Sequence, residues 1–553
     1  MGSSRRALGV AVMVSFAAFS ACSQPTPDTR ASGSDFKGST STPTSTPSST
    51  PTSTPSSTPP TPTPVSGSGS PRTAPRLIAP LSTSISMSMS PLFSWLPESS
   101  STGATVDVCR DRACQDLVVS FAATGSSARP PQPLPPGVVF WRVSSDTTGG
   151  RTSAVWELTI PARESGRTGS WGSVPDFNGD GFGDLAVGVL PAFNGVGTPP
   201  PNQMRIFPGG PVGLAAAPAQ TFSGPFGFAE EAGSAGDLDG DGFADLAIWN
   251  SVDPTSSALP GGFTVTVYRG GAQGLSSPVT FPAPNADVAS QMRVLSAGDV
   301  NGDGFGDLLV GGDGVAELFL GGPTGVSTTP AEMLAPPSAT TPDARWPIGN
   351  ADFNGDGHPD ALISGLNGML LYEGDGQTLV AHPEVPLAGA FGALAGDVNG
   401  DGFADYASGG VYIGGPSGPT TLFEILAGQT FNQGVGDVNG DGFSDVLNSV
   451  SSIVGVREAE RVYFGGLIPC ADNACPTFVP LFVPGDLNDG SPRFAVGAKG
   501  IGDVNGDGFA DFVYFSPGAG AVYLFYGSPA GPPSNPSMTI TAEQGFGFSV
   551  AGM

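Results

Sequence analysis

A nine-residue pattern, repeated seven times, constrains this chain more than anything else in it. Residues 299–307 read DVNGDGFGD, with carboxylates at positions 1, 5 and 9, an amide at position 3 and glycines at 4 and 6. The pattern returns with its starts 61, 62, 53, 45, 40 and 66 residues apart along the chain. Each copy runs directly into a short apolar stretch such as DLLVGG or DLAIW, which reads as a strand. One supersecondary unit recurring at this period means a propeller or a solenoid, because no single unit can bury its own apolar face. Helices are poor candidates: Gly (83) and Pro (56) interrupt nearly every window beyond residue 75. The expected fold class is all-β.

The loops carry the chemistry, at positions 1, 3, 5, 7 and 9. In the first loop these are Asp176, Asn178, Asp180, Phe182 and Asp184, and in the second Asp237, Asp239, Asp241, Phe243 and Asp245. The third has Asp299, Asn301, Asp303, Phe305 and Asp307; the fourth has Asp352, Asn354, Asp356, His358 and Asp360. The fifth has Asp397, Asn399, Asp401, Phe403 and Asp405, and the sixth Asp437, Asn439, Asp441, Phe443 and Asp445. The seventh has Asp503, Asn505, Asp507, Phe509 and Asp511. A hard cation such as Ca²⁺ takes about six to eight oxygens at roughly 2.3–2.6 Å. Alternate side chains of a tight loop converge, so positions 1, 3 and 5 can share one ion. Position 6 must turn sharply, which suits Gly. Position 7 can then offer its backbone carbonyl, and the carboxylate at position 9 closes the shell. Without a cation, these carboxylates would repel one another. One such loop alone could equally be an Asn-Gly hairpin turn. An EF-hand opens on the same oxygen spacing but needs a Glu at position 12 and flanking helices, and these loops have neither. Ca²⁺ at one ion per loop, seven in all, is therefore the expected cofactor.

The charge balance agrees. Lys and Arg number 21 against 49 Asp and Glu, a formal charge of −28. Nucleic acid is excluded as a partner, because phosphate recognition needs a basic footprint. Three aspartates per loop over seven loops, with Asp239, make 22 of the 49 acids, and seven Ca²⁺ would halve the net charge.

The N-terminus reads as an export signal, with Arg5 and Arg6 ahead of an apolar run from residue 7 to 21 that is too short to span a bilayer. Its end, Phe19-Ser20-Ala21-Cys22, resembles the lipobox of bacterial lipoproteins, which implies lipidation of Cys22 and outer-membrane or cell-surface placement. Phe19 stands where that family has Leu, so plain secretory cleavage stays open. Any membrane contact would run through this anchor alone. Residues 23–74 are a Ser/Thr/Pro-rich tract that cannot offset its ordering entropy and is expected to be a disordered linker. Residues 75–163 hold short β-rich runs, with Trp95 and Phe140-Trp141 placed to pack across two sheets. They resemble a fibronectin type III module. Cys109 and Cys114, and again Cys470 and Cys475, are spaced to close local disulfides in an oxidising compartment, with a shared zinc site as the rival.

Residues 391–410, FGALAGDVNGDGFADYASGG, show a Phe-Gly opening, the loop and the strand after it. Residues 522–531, VYLFYGSPAG, show a later strand and Gly-rich turn, echoed by VYRGGAQG and LFLGGPTG. These motifs resemble the FG-GAP repeats of integrin α-subunit propellers and their bacterial relatives, over roughly residues 170–553. The resemblance implies a seven-bladed β-propeller over 164–553, each four-stranded blade having its calcium loop between the first two strands. It also implies an adhesion or ligand-binding module whose partner is an extracellular protein or glycan bound on the face opposite the loops; a monomer is expected, though the sequence does not reveal the oligomeric state. A lectin, an accessory to polysaccharide degradation and a structural envelope component are the alternatives. No catalytic residue is assigned: His358 and His382 are the only histidines, and no Gly-x-Ser-x-Gly motif occurs.

Three features depart from the pattern. His358-Pro359 replaces the aromatic and small residue of the fourth loop. GDLNDG at 485–490 reads as a surface turn. GFGFSVAGM, at 545–553, opens a repeat with no loop after it and is expected to pair with the first blade.

Overall fold

Alternating small apolar residues and Gly-rich turns favour strands. In the computed structural model no helix occurs among the described residues, which are 74–553 apart from internal stretches, the longest being 335–346, 467–477 and 482–496. The signal with Cys22, the linker up to residue 73, Cys470, Cys475 and the turn at 485–490 lie outside the described residues.

Two sheets come first. Arg76–Ala79, Phe93–Leu96 and Ser127–Ala128 form one. The other is built on the antiparallel trio Gly103–Cys109, Leu117–Thr124 and Gly137–Ser145, continued by Trp156–Ile160 and Ser84–Ser86. Trp95 from the first sheet and Trp141 and Trp156 from the second are buried in one core. Trp141 sits edge-on to Trp156 at 5.8 Å and tilted on Phe93 at 4.6 Å. Cys109 and Cys114 are joined by a disulfide. The second sheet does not stop at residue 163: Ser170–Trp171 adds an edge strand against Ser84–Ser86. The sandwich thereby runs continuously into the repeats, within one compact unit, Gly69–Met553.

The repeats form seven four-stranded antiparallel sheets among the described residues. The second is typical: Glu231–Gly236, Asp245–Ser251, Phe263–Arg269 and Ser276–Pro282 pair in chain order. Its aspartate loop joins the first two strands. The first strands of successive sheets, such as Arg293–Gly298, Pro347–Ala351 and Ala393–Gly396, pack against one another. Their small residues, as in SAG and GVG, permit that close approach. The first sheet draws its fourth strand from the far end of the chain, because Phe546–Ala551 pairs antiparallel with Leu185–Val189. That strand also packs against the second and the seventh sheets.

Candidate cation-binding loops

Each loop is wound around a buried position-9 carboxylate and a position-1 carboxylate that is buried in the first, second and fourth loops and half-buried in the others. The position-1 aspartate accepts backbone N–H groups from within its own loop: Asp397 Oδ1 takes Gly400 and Asp401 at 2.6 and 3.2 Å, and Oδ2 takes Gly402 at 2.9 Å. Glycines at positions 4 and 6 have positive φ, 74° and 84° in this loop, as the winding requires. The position-9 aspartate is buried in all seven copies. Its Oδ2 accepts the position-2 N–H, and its Oδ1 accepts a glycine N–H from the turn after the third strand. Asp405, for example, takes Val398 and Gly414, each at 2.8 Å. Position 9 therefore staples the loop to its own sheet as well as facing it, a role that ligand counting in the sequence did not assign.

Neighbouring loops are latched by three further contacts. The position-8 N–H reaches the position-1 carbonyl of the preceding loop, as Ala244 does to Asp176 at 3.0 Å. A backbone N–H just after the third strand reaches the position-2 carbonyl, as Gly271 does to Phe177 at 2.9 Å. The position-7 ring lies on the position-4 glycine of the preceding loop: a Cβ on Gly179 would stand 2.4 Å from Phe243. The same triple joins the seventh loop to the first, through Gly183 with Asp503, Gly210 with Val504, and Phe182 on Gly506. Ligand spacing gave position 7 only a carbonyl; its ring serves the loop next door, which no single repeat can reveal.

Electrostatically the loops need a counter-charge. Burial first, and neighbouring loop carboxylates in addition, push Asp184, Asp245, Asp405 and Asp445 well above the ordinary carboxylate range. Burial likewise raises Asp299 to about 7, and Asp360 and Asp511 to about 8. Such groups hold a proton or a cation. In the second loop, carboxylate oxygens of Asp237, Asp239 and Asp241 lie within 4.8 Å of one another. There Asp239 Oδ1 is buried without a hydrogen-bond partner. An all-oxygen set with an orphaned carboxylate oxygen fits a hard divalent cation.

Part of the loop face is covered by the sandwich, while the tips of the fourth and seventh loops, Asp356 and Gly506 to Gly508, are exposed and a cavity lies between the sandwich and Asp397, Asp437 and Asp503. Arg112 of the sandwich donates Nε to Gly179 O at 2.5 Å and Nη2 to Gly242 O at 2.9 Å, with its guanidinium 4.3 Å above the Phe243 ring. Arg76 donates to Asp303 O and lies 4.9 Å from the Phe305 ring, and Arg163 lies 4.4 Å from the Phe443 ring. Trp156 Nε1 donates to Gly240 O at 3.3 Å, and Ser82 Oγ to Gly242 O at 3.0 Å. Sandwich residue Glu157 is buried beside the first loop, pushed well above the usual carboxylate range by burial and by Asp176. The sandwich thus grips loop backbone and the position-7 rings. At the other end of the inner strands a cavity opens among Glu231, Arg293, Gln433 and Lys499, with Arg293 and Glu231 paired at 3.2 Å.

Sheets built one after another, each opening on an aspartate loop, define a repeat protein of a single kind. An FG-GAP-like repeat description matches residues 237–310, 299–363 and 352–408, and an FG-GAP repeat description matches residues 500–525. The chain carries FG-GAP repeats. It is 42% identical to integrin alpha-PS2 of Drosophila melanogaster over 74 residues, which cover 11% of this chain and 5% of that protein. Among solved structures it is similar to rhamnogalacturonan lyase YesW and to the Bacillus licheniformis rhamnogalacturonan lyase PL11, each at 12% identity and a TM-score of 0.34. Those alignments cover 81% of this chain and 75% of the first structure, and 84% of this chain and 77% of the second.

Proposed function

We propose that this protein is an exported, calcium-loaded, seven-bladed propeller that binds an extracellular protein or glycan on the face away from its aspartate loops. The observation that carries the reading is the sandwich seated on the first, second, third and sixth loops. Loop carbonyls and position-7 rings are engaged by Arg76, Arg112 and Arg163, so the loops serve the scaffold rather than a partner. Ca²⁺ in each loop neutralises the converging carboxylates and holds the rims of the blades. The opposite end, with its cavity lined by Glu231, Arg293, Gln433 and Lys499 among apolar neighbours, is left for recognition. A lipid on Cys22 and the Ser/Thr/Pro tract would carry the molecule, as a monomer, away from the cell surface. Two measurements test this. Elemental analysis in calcium-rich buffer is expected to return about seven Ca²⁺ per chain. A glycan array probed with the calcium-loaded protein separates the ligand classes: discrete hits abolished by R293A/K499A support a lectin, and silence points to a protein partner. Hits that survive R293A/K499A and vanish with substitutions on the loop face would overturn the assignment of faces.

A further inference from the structure

We propose that the circuit of sheets opens first between the third and the fourth, at the joint of loops 299–307 and 352–360, and not at the terminal strand. Six of the seven joints carry the full triple of latches between neighbouring loops. This joint carries none of the three, and two adjacent residues are the reason. Pro359 stands at position 8 and has no N–H to give to Asp299 O. His358 stands at position 7, and its ring lies against Gly376 of its own sheet rather than on Gly302. The third latch fails as well: the Asp375 N–H turns inward to Thr378 O at 3.2 Å instead of reaching Val300 O. Among the described residues no other backbone donor reaches Asp299 O or Val300 O, and the one backbone N–H across the joint, from Leu379, goes to the Glu332 side chain at 3.3 Å.

The strand leading into the fourth loop is irregular too. In the second, third, fifth, sixth and seventh loops a glycine with φ of 73–81° immediately precedes position 1, as Gly298 and Gly396 do, and in the first loop Pro175 stands there. Here that place is Ala351, the positive φ of 58° has moved to Asn350, and pairing with Asp360–Gly365 skips between Ile348 and Ala351. What remains is apolar packing around Leu309 and Ile363, with side-chain hydrogen bonds from Asn350 Nδ2 to Ser296 Oγ at 3.2 Å and from Thr378 to Glu332. Such side-chain links are not special to this joint. Gln220 bonds Leu275 between the first two sheets, and Arg205 pairs with Glu543 between the seventh and first. The terminal strand would be the default place to fray, yet it is well held. Phe546 is buried beside Phe207, Ser549 Oγ donates to Ala229 O at 2.9 Å, and the loops beneath it have all three latches. Local opening starts where backbone bonds between units are fewest. None of the missing contacts involves a cation, so the joint is the weak one whether or not the loops hold calcium.

Hydrogen exchange of the full chain in calcium-saturated buffer, followed by mass spectrometry, tests it. Peptides covering 299–307 and 347–351 are expected to exchange at least tenfold faster than the corresponding peptides at the other joints and at 546–551. H358F/P359A supplies the missing ring and N–H and is expected to remove that difference. F403H/A404P is expected to create a second fast joint between the fourth and fifth sheets. Should that variant fail to fold, the unaltered chain decides alone: exchange that is uniform across joints, or fastest at 546–551, overturns the proposal.

Discussion

In the fifth loop, Asn399 donates Nδ2 to Asp401 Oδ2 at 2.9 Å and accepts the Asp401 N–H at 3.0 Å on its Oδ1. The third, fourth, sixth and seventh loops repeat that clasp. In the second loop the same position is Asp239, which has no N–H to offer. It turns Oδ2 to Arg269 at 3.1 Å, leaves Oδ1 buried and unpartnered, and crowds Asp237 and Asp241. One amide-to-acid difference thus separates two ways of holding carboxylates together. The amide loops carry an internal donor that steadies them before any cation arrives. The acid loop gives up that donor for an extra negative charge, which a bound cation would offset.

Removing cations from every loop gives the largest effect. With free calcium about tenfold above Kd, each site contributes about 1.4 kcal/mol, so the seven approach about 10 kcal/mol. For repeats of this total size that corresponds to a fall of roughly 10 °C in Tm. Calorimetry with and without chelator measures it. A fall below about 3 °C would leave both kinds of loop without any real dependence on a cation.

The pH response of the chelated protein comes next. Asp299 is raised to about 7, Asp241, Asp352, Asp397 and Asp437 to about 6, and Asp360 and Asp511 to about 8, from an ordinary value of 3.8. A carboxylate with a raised folded value binds its proton more tightly in the folded chain. Its stabilisation is complete below pH 3.8 and disappears as pH rises through 6 to 8. The cation-free Tm is therefore expected to fall by several degrees between pH 5 and 8. The calcium-loaded Tm is expected not to fall, because the cation replaces the protons and binds better as they leave. Parallel melts across that range, with and without chelator, check the opposite signs.

These contrasts mark what the amino-acid order discloses. Alternating Asp, Asn and Gly at fixed offsets made the loops, their number and the strands beside them legible, because ligand spacing and winding are local. The clasp from Asn399 to Asp401 is local too, and could have been read from the amide alone. What stayed hidden is whatever acts between distant segments. Arg112 meets Gly179 and Gly242 through carbonyls that every residue possesses, so nothing at those positions announces the sandwich above them. Phe243 reads as a carbonyl donor until its ring is seen on Gly179. His358-Pro359 stood out as a departure, but its consequence needed the six intact joints for comparison.

Converting an amide loop to the acid kind gives a smaller change. N399D removes the bond to Asp401 and sets two carboxylates against each other in a half-buried loop, which is expected to cost about 1–2 kcal/mol without cation. With calcium the added charge tightens the site, so the loss shrinks or reverses. Chelated and calcium-loaded melts of N399D against the unaltered chain measure both arms, and equal losses in the two would show that Asn399 matters only as packing.

The reciprocal change, D239N, has the smallest net effect and the sharpest sign. In the cation-free protein it relieves the crowding with Asp237 and Asp241 and restores a donor, a gain of about 1 kcal/mol. Against this stands the Arg269 pair, which is partly exposed and of the class that contributes roughly 0–1 kcal/mol. The chelated Tm is therefore expected to rise slightly or hold. In calcium the same substitution removes a charged ligand while the other six loops keep theirs, so the loaded Tm falls and the titration loses its tightest step. Opposite signs in the two conditions assign Asp239 to the cation. A loss of equal size in both would make it merely the anchor of Arg269, and the second loop would then differ from its neighbours in wiring rather than in purpose.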